Sequence, residues 1–305
     1  MKKQLRTSVR VVALAIASFT LITACGSSSS SDTTVAVDTT VAVDTTVAVE
    51  APQRIVSLSA TATEMLYAIG AGSQVIAVDE YSNYPADAVA LGTKLNAFEP
   101  NIEAIAAYTP DLVIISNDMA SVTERLKALD ITVWVGAAPA TIDDAYAQIT
   151  QLGAATGHSD EASQLVTSMK DGISTAIDGV KAPAGTTYFY ELDNTYYSVT
   201  SNTFIGSLLS SLGLTNIADG VEAGNDYPQL NAEALIKANP GIIFLADTKC
   251  CAQTAATVAA RPGWSSIAAV KNNAVIELDD DISSRWGPRI VDLVKQFADA
   301  VKALK

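Results

Sequence analysis

From Pro52 onward the apolar residues fall into short runs separated by longer stretches with helical spacing. Arg54-Ile-Val-Ser-Leu58 is a buried-strand run. Between Thr61 and Ile69 the apolar positions Met65, Leu66 and Ile69 share one helical face, and Gly70 and Gly72 stop the segment. Gln74 to Val78 reads as a second strand. The alternation continues with a helix from Asn101, a strand Leu112–Ile115, a helix around Val122–Leu129 and a strand Thr132–Val135. Short apolar strands alternating with amphipathic helices predict parallel sheets covered on both faces.

An ungapped internal match organises this pattern. Asn101 to Ser116 (Asn-Ile-Glu-Ala-Ile-Ala-Ala-Tyr-Thr-Pro-Asp-Leu-Val-Ile-Ile-Ser) aligns on Asn231 to Ala246 (Asn-Ala-Glu-Ala-Leu-Ile-Lys-Ala-Asn-Pro-Gly-Ile-Ile-Phe-Leu-Ala). Each copy reads as an Asn N-cap, a helix, a Pro-marked turn and a buried strand. The copies stand 130 residues apart, near half the globular length, which predicts two similar lobes. Between them, Leu165, Val166, Met169, Ile173, Ile177 and Val180 keep helical spacing from Asp160 to Val180, about 30 Å of helix at 1.5 Å per residue. Pro183-Ala-Gly185 ends it and Thr187 to Leu192 opens the second sheet. The expected fold is α/β: two Rossmann-like lobes with parallel sheets, joined by one long α-helix, with a cleft between the lobes. The N-terminal lobe spans 52–157, the connecting helix 158–182 and the C-terminal lobe 183–305.

Composition narrows the function. The chain of 305 residues carries 19 Lys+Arg against 33 Asp+Glu, and the first 24 residues hold four of the basic ones and no acid. Residues 25–305 therefore stand at 15 against 33, a net charge of −18, which disfavours nucleic acid as a partner. The single histidine, His158, sits in a polar helix start, Gly157-His158-Ser159-Asp160-Glu161. One imidazole cannot supply a multi-His metal site, and Ser-His or Cys-His catalysis would need His158 itself as the base. No catalytic residue, protein-bound metal or cofactor is expected.

The N-terminal segment reads as an address. Lys2, Lys3, Arg6 and Arg10 precede a 12-residue apolar run, Val11 to Ile22, which is too short to span a bilayer permanently. It ends in Ile22-Thr23-Ala24-Cys25-Gly26, which resembles the lipobox of bacterial lipoproteins. That resemblance implies a signal peptide over 1–24 and a diacylated Cys25, anchoring the protein to the outer face of the cytoplasmic membrane. Residues 25–51 follow with Asp-Thr-Thr-Val-Ala-Val units from Asp32, Asp38 and Asp44, a low-complexity tether.

The globular part resembles the substrate-binding proteins of ABC importers that carry the Fe/B12 periplasmic-binding domain, binders of iron-siderophores, haem and cobalamin. The resemblance rests on Arg54-Ile-Val-Ser-Leu-Ser-Ala-Thr-Ala-Thr-Glu-Met-Leu, Tyr81-Ser-Asn-Tyr-Pro, Pro100-Asn-Ile-Glu-Ala-Ile, Pro110-Asp-Leu-Val-Ile and Gly287-Pro-Arg-Ile. It implies a monomeric, non-enzymatic protein that captures a bulky metal chelate and delivers it to a permease dimer with its ATPase. The cobalamin binders look nearest, although a tryptophan they carry near Phe98 is absent. In that family one glutamate on each lobe docks on permease arginines, and the motif match carries these to Glu103 and Glu233.

Loops at the carboxyl ends of strands nominate the ligand contacts. They are Ser59, Ala60, Thr61, Tyr81, Asn96 and Phe98 on the first lobe. On the second they are Tyr196, Tyr197, Asp226, Tyr227, Arg285 and Trp286, with Arg285 suited to an anionic group. Tyr84 and Tyr188 read as packing, Trp134 and Trp264 as core. Cys250-Cys251 is expected to form a vicinal disulfide, since thiols outside the cell oxidise and Cys25 is assigned to lipid. A thiol metal site would have too few ligands. The rival to a binding protein is a surface redox or sensor protein that uses this pair.

Overall fold

The computed structural model describes residues 50–304. The signal peptide, Cys25 and all but the last two tether positions lie outside the described residues. The first half runs β1 (Ile55–Leu58), α1 (Ala60–Ala68), β2 (Val75–Val78), α2 (Ala86–Ala90), α3 (Ile102–Ala106), β3 (Leu112–Ile115), α4 (Val122–Lys127), β4 (Thr132–Val135) and α5 (Ile142–Thr156). A long helix, α6 (Ser159–Ile177), follows. The second half runs β5 (Thr187–Glu191), α7 (Phe204–Ser211), β6 (Thr215–Asn216), α8 (Ala232–Ala238), β7 (Ile242–Leu245), α9 (Ala255–Ala259), α10 (Ala268–Lys271), β8 (Val275–Glu277), α11 (Asp280–Ser283) and α12 (Ile290–Lys302).

The strands form two four-stranded parallel sheets, ordered β2-β1-β3-β4 and β6-β5-β7-β8. β3 and β7 occupy the same place in their sheets, and each follows a helix capped by an asparagine. Asn101 Oδ1 accepts from Ala104 N at 3.1 Å and Asn231 Oδ1 from Ala234 N at 2.9 Å. The internal repeat is thus the third strand of each lobe together with the helix before it. β1, β3 and β7 are buried along their whole length, as parallel strands with covered faces must be.

The buried interior of the C-terminal lobe is rich in aromatic side chains. Phe244 on β7 meets Phe297 of α12 at 5.0 Å between ring centres and lies against Tyr188 and Tyr190 of β5. Trp264 is fully buried and Trp134 is partly covered, while Tyr84, expected to pack, is 47% exposed with the Arg289 guanidinium over its ring. α6 ends three residues before the helical pattern does, because the chain turns at Asp178 and Gly179 adopts a positive φ. α12 packs closely on α6: a Cβ at Gly172 would stand 2.8 Å from Val291, so only glycine permits that approach. His158, the N-cap residue of α6, lies 3.9 Å from Glu161 and away from the strand ends. No described helix is long and apolar enough to cross a membrane.

Candidate functional site

The carboxyl ends of the two sheets border a cleft made of two adjoining recesses, ≈ 270 and ≈ 200 Å³, which share Ser284, Arg285 and Trp286. On the first lobe, β1 ends in Ser59, whose hydroxyl accepts from Ala62 N at 3.3 Å and starts α1. That cap turns the chain so that Ser59, Ala60 and Thr61 line the larger recess. Asp79 closes the end of β2. It is buried, which pushes its carboxyl above the usual range, and Ser82 donates to it while also meeting Thr63. Tyr81 and Phe98 stand edge to face at 5.4 Å and form an aromatic lip. Ser116 and Asn117, after β3, complete this wall.

The second recess is apolar. Leu192, Val199, Phe204, Ile205 and Tyr227 of the C-terminal lobe face Ala138 and Pro139 of the N-terminal lobe. Trp286 lies between the recesses and donates from Nε1 to Gln148 Oε1 at 2.8 Å, fixing the indole across the cleft.

Arg285 lines both recesses, but its charge is already matched. Nη1 donates to Glu64 Oε1 at 2.8 Å and Asn83 Oδ1 at 3.0 Å, and Nη2 to Asp281 Oδ1 at 2.7 Å and the Tyr81 carbonyl at 2.9 Å. Four of its N–H groups are engaged, and two of the acceptors are carboxylates. Glu64 also receives Nε and Nη2 of Arg289. Asp281 receives Lys249 and Asn83 besides Arg285, and together they hold its carboxyl below the usual range despite its partial burial. Arg285, expected to meet an anionic group, does line the cleft, but its charge is taken up by Glu64 and Asp281, it ties the two lobes together, and neither recess is lined by any other cationic side chain.

Four further nominations are placed off the recesses. Asn96 Oδ1 accepts from the backbone of Phe98 and Glu99 and shapes the loop behind the lip. Tyr196 stacks on Trp264 at 5.6 Å with Arg261 over both rings. Tyr197 pairs its backbone with Gln229, and the Asp226 carboxylate is held by Thr200 and Asn202. Asp79, Asn117, Asp281 and the Phe204–Ile205 pair were not nominated. The strand-end rule alone already pointed to Asn117, whereas Phe204 and Ile205 enter through a helix start that has no strand-end signature.

Beneath the C-terminal half of the cleft lies a buried charged group. Glu191, ending β5, is clasped by both guanidinium ends of Arg261, which raises the arginine further although burial opposes it. Asp247, two residues past β7, is fully buried and no donor meets either of its oxygens. Burial, reinforced by the neighbouring Glu191 carboxylate, pushes its pKa up to about 7. Cys250 and Cys251, on the loop beyond, are free thiols in the structure rather than the expected disulfide, and the Cys250 N–H donates to Asp280 Oδ2 at 2.8 Å. Among the described residues no cluster of three or more His, Cys, Asp or Glu side chains is arranged to hold a metal ion. A wider recess of ≈ 610 Å³ lies among α1, α6 and α12, on the helical flank rather than at the strand ends.

Comparison with known proteins is consistent with this layout. A family described as periplasmic binding protein matches residues 55–282. An uncharacterized ABC transporter substrate-binding lipoprotein of Bacillus subtilis (strain 168) is 30% identical over 259 residues, covering 82% of this chain and 80% of its own length. Among solved structures, a possible iron-binding periplasmic solute-binding protein of Staphylococcus epidermidis superposes with a TM-score of 0.71 at 27% identity, over 83% of this chain and 99% of that one. The periplasmic vitamin B12 binding protein of Vibrio cholerae gives 0.68 at 26% identity, over 82% and 97%.

Proposed function

The chain belongs to the periplasmic binding protein family, and we propose that it serves an ABC importer as a lipid-anchored receptor that captures a corrinoid in the cleft. One observation carries the choice of ligand. Apart from the carboxyls of Asp79 and Asp281, the recesses are lined by apolar, aromatic, hydroxyl and amide groups, and their one cation is neutralised by Glu64 and Asp281. A corrinoid offers a broad apolar ring edged by uncharged amides, which such walls meet without an unpaired charge. Haem carboxylates and ferric catecholates bring negative charge to a wall that already holds Asp79 and Asp281. The match to relatives named as cobalamin and vitamin B12 binders supports the same reading.

The test is a binding panel on the full chain: cyanocobalamin, a cationic ferric trihydroxamate, haemin and a ferric tris-catecholate, followed by tryptophan quenching and by melting shift. Trp286 stands on the cleft wall and reports directly. Quenching by cyanocobalamin alone supports the reading; tighter binding of haemin or the catecholate contradicts it.

Delivery follows from the surface. Glu103 and Glu233 are exposed, each the second residue of an asparagine-capped helix, one on each lobe. Carboxylates there are favoured by the helix dipole and present two-pronged acceptors to arginine forks of a permease. Acylation at Cys25 would keep the receptor near that permease.

A further inference from the structure

Two carboxylates stand on the wall of the larger recess, and the protein satisfies them unequally. Asp281 receives Arg285, Lys249 and Asn83. Asp79 is only 3% exposed, and among the described residues Ser82 alone donates a side-chain hydrogen bond to it, at Oδ1. The N–H groups nearest its carboxyl are committed elsewhere: Asp79 N donates to the Ser57 carbonyl at 3.0 Å and Ser82 N to the Asp79 carbonyl at 3.3 Å. The second carboxyl oxygen is left without a donor among the described residues, on a side chain that lines the recess. Burial pushes this carboxyl up, and Ser82 and the Arg285 charge oppose the shift only in part. A buried carboxylate short of donors is costly, and a donor brought by a ligand offsets that cost.

The acceptor is also held in place before any ligand arrives. Besides the bond to Ser57 of β1, Asp79 bridges to Leu95, and Glu80 N donates to the Leu95 carbonyl at 3.0 Å. The Ser82 hydroxyl that holds Oδ1 lies 2.8 Å from the buried Thr63 hydroxyl of α1. An acceptor fixed this way gives up little freedom on binding.

We propose that Asp79 is a specificity-determining residue of the recess: its unmet oxygen accepts an N–H from a primary-amide arm of the ligand and turns away a carboxylate arm at the same place. The inference rests on the receptor reading and deepens it, naming what is selected among corrinoids: amide over acid. An amide arm supplies a charge-assisted N–H···O bond. A carboxylate arm supplies no donor and sets a second negative charge against the first.

The probes are cyanocobalamin and its monocarboxylic acids, in each of which one amide arm of the ring edge has been hydrolysed. Each is titrated against the full chain at neutral pH by tryptophan quenching. Wild type should bind at least one acid about tenfold more weakly than cyanocobalamin, the effect of like charges brought together. Asp79→Asn keeps an acceptor for Ser82 and removes the charge. It should strengthen that acid about tenfold and weaken cyanocobalamin about threefold, as a neutral partner replaces a charged one. A structural role for Asp79 would move both ligands the same way. Ser82→Ala keeps the carboxylate and should keep the wild-type order. Equal binding of cyanocobalamin and every acid by wild type, shifts of one sign in Asp79→Asn, or a lost order in Ser82→Ala would each overturn the role of Asp79 and leave the receptor reading standing. A wild type that binds no cyanocobalamin would overturn both.

Discussion

Glu64 and Arg285 are 221 positions apart in the chain and 2.8 Å apart in the fold. Glu64 is in α1 of the first lobe; Arg285 follows α11 of the second. Arg289 reaches the same carboxylate, and Trp286 and Asp281 add hydrogen bonds to Gln148 and Asn83. The lobes are thus joined twice, covalently through α6 and non-covalently through residues 281–289. The second joint lies on the cleft wall itself, so ligand binding and lobe alignment share residues.

Removing one partner of this joint leaves buried charge unmatched. Glu64→Ala should cost about 3–5 kcal/mol of unfolding free energy, the usual penalty for breaking a buried ion pair from one side. Replacing Glu64, Arg285 and Arg289 together by apolar residues should cost less than the single change, since Asp281, the carboxylate that then loses Arg285, keeps Lys249 and Asn83. Urea unfolding of both variants checks the order. A triple variant less stable than Glu64→Ala would contradict it.

Asp281 makes the neutrality of the cleft testable from the other direction. Asp281→Asn leaves Arg285 and Lys249 with less counter-charge at the wall. Haemin should then bind about tenfold tighter than to wild type, roughly the effect of one partly screened charge. Cyanocobalamin affinity should stay within about twofold, because an uncharged edge does not sense the change. Titration of both probes by tryptophan quenching reads the split.

Much of the scaffold was legible because its signals are local. The Asn…Pro spacing of the repeat marks α3–β3 and α8–β7, and the apolar runs Leu112–Ile115 and Ile242–Leu245 are strands to the residue. Helix ends were less legible, α4 stopping at Lys127 where the apolar pattern runs to Leu129. The site divided along the same line. Ser59 to Thr61 follow directly from a strand end. Arg285 and Tyr196 do not, because what each does is set by a partner far along the chain: Glu64 for one, Trp264 and Arg261 for the other. A sequence shows that an arginine can hold an anion; it does not show that a glutamate 221 residues away already does.

Asp247 gives the stability of the protein a pH dependence opposite to that of an ordinary paired carboxylate. Its pKa is raised to about 7 in the folded chain, against about 3.9 when unfolded. The folded state therefore binds the extra proton between these values, and the stability it contributes is complete below pH 4 and lost as pH rises through 7. Asp247→Asn keeps a donor toward Glu191 without the charge. The variant should match wild type near pH 4 and exceed it at pH 8 by roughly 1–3 kcal/mol, flattening the slope between. Urea unfolding at pH 4, 6 and 8 checks this, and a variant no more stable at pH 8 would show that Asp247 is not charged there at a cost.

Docking is the prediction on which the transport reading turns. Glu103 and Glu233 are exposed and neither lines a recess, so changing them should leave cyanocobalamin affinity unaltered. Each takes the same place in its helix, and Ala104 and Ala234 are already held by the asparagine caps, so the folds of α3 and α8 do not depend on them. Close charge pairs across an interface couple by about 1.5–7 kcal/mol. Glu103→Lys with Glu233→Lys should therefore weaken docking by well over tenfold and abolish uptake, while either single reversal costs less because the other lobe is still gripped. If the two acids serve only their helices, the lysines would lose a favourable dipole contact of about 0.3–1 kcal/mol each, lowering the melting temperature slightly and sparing transport. Uptake, affinity and melting measured on the three variants separate these outcomes, and unimpaired uptake by the double reversal would remove both glutamates from the interface.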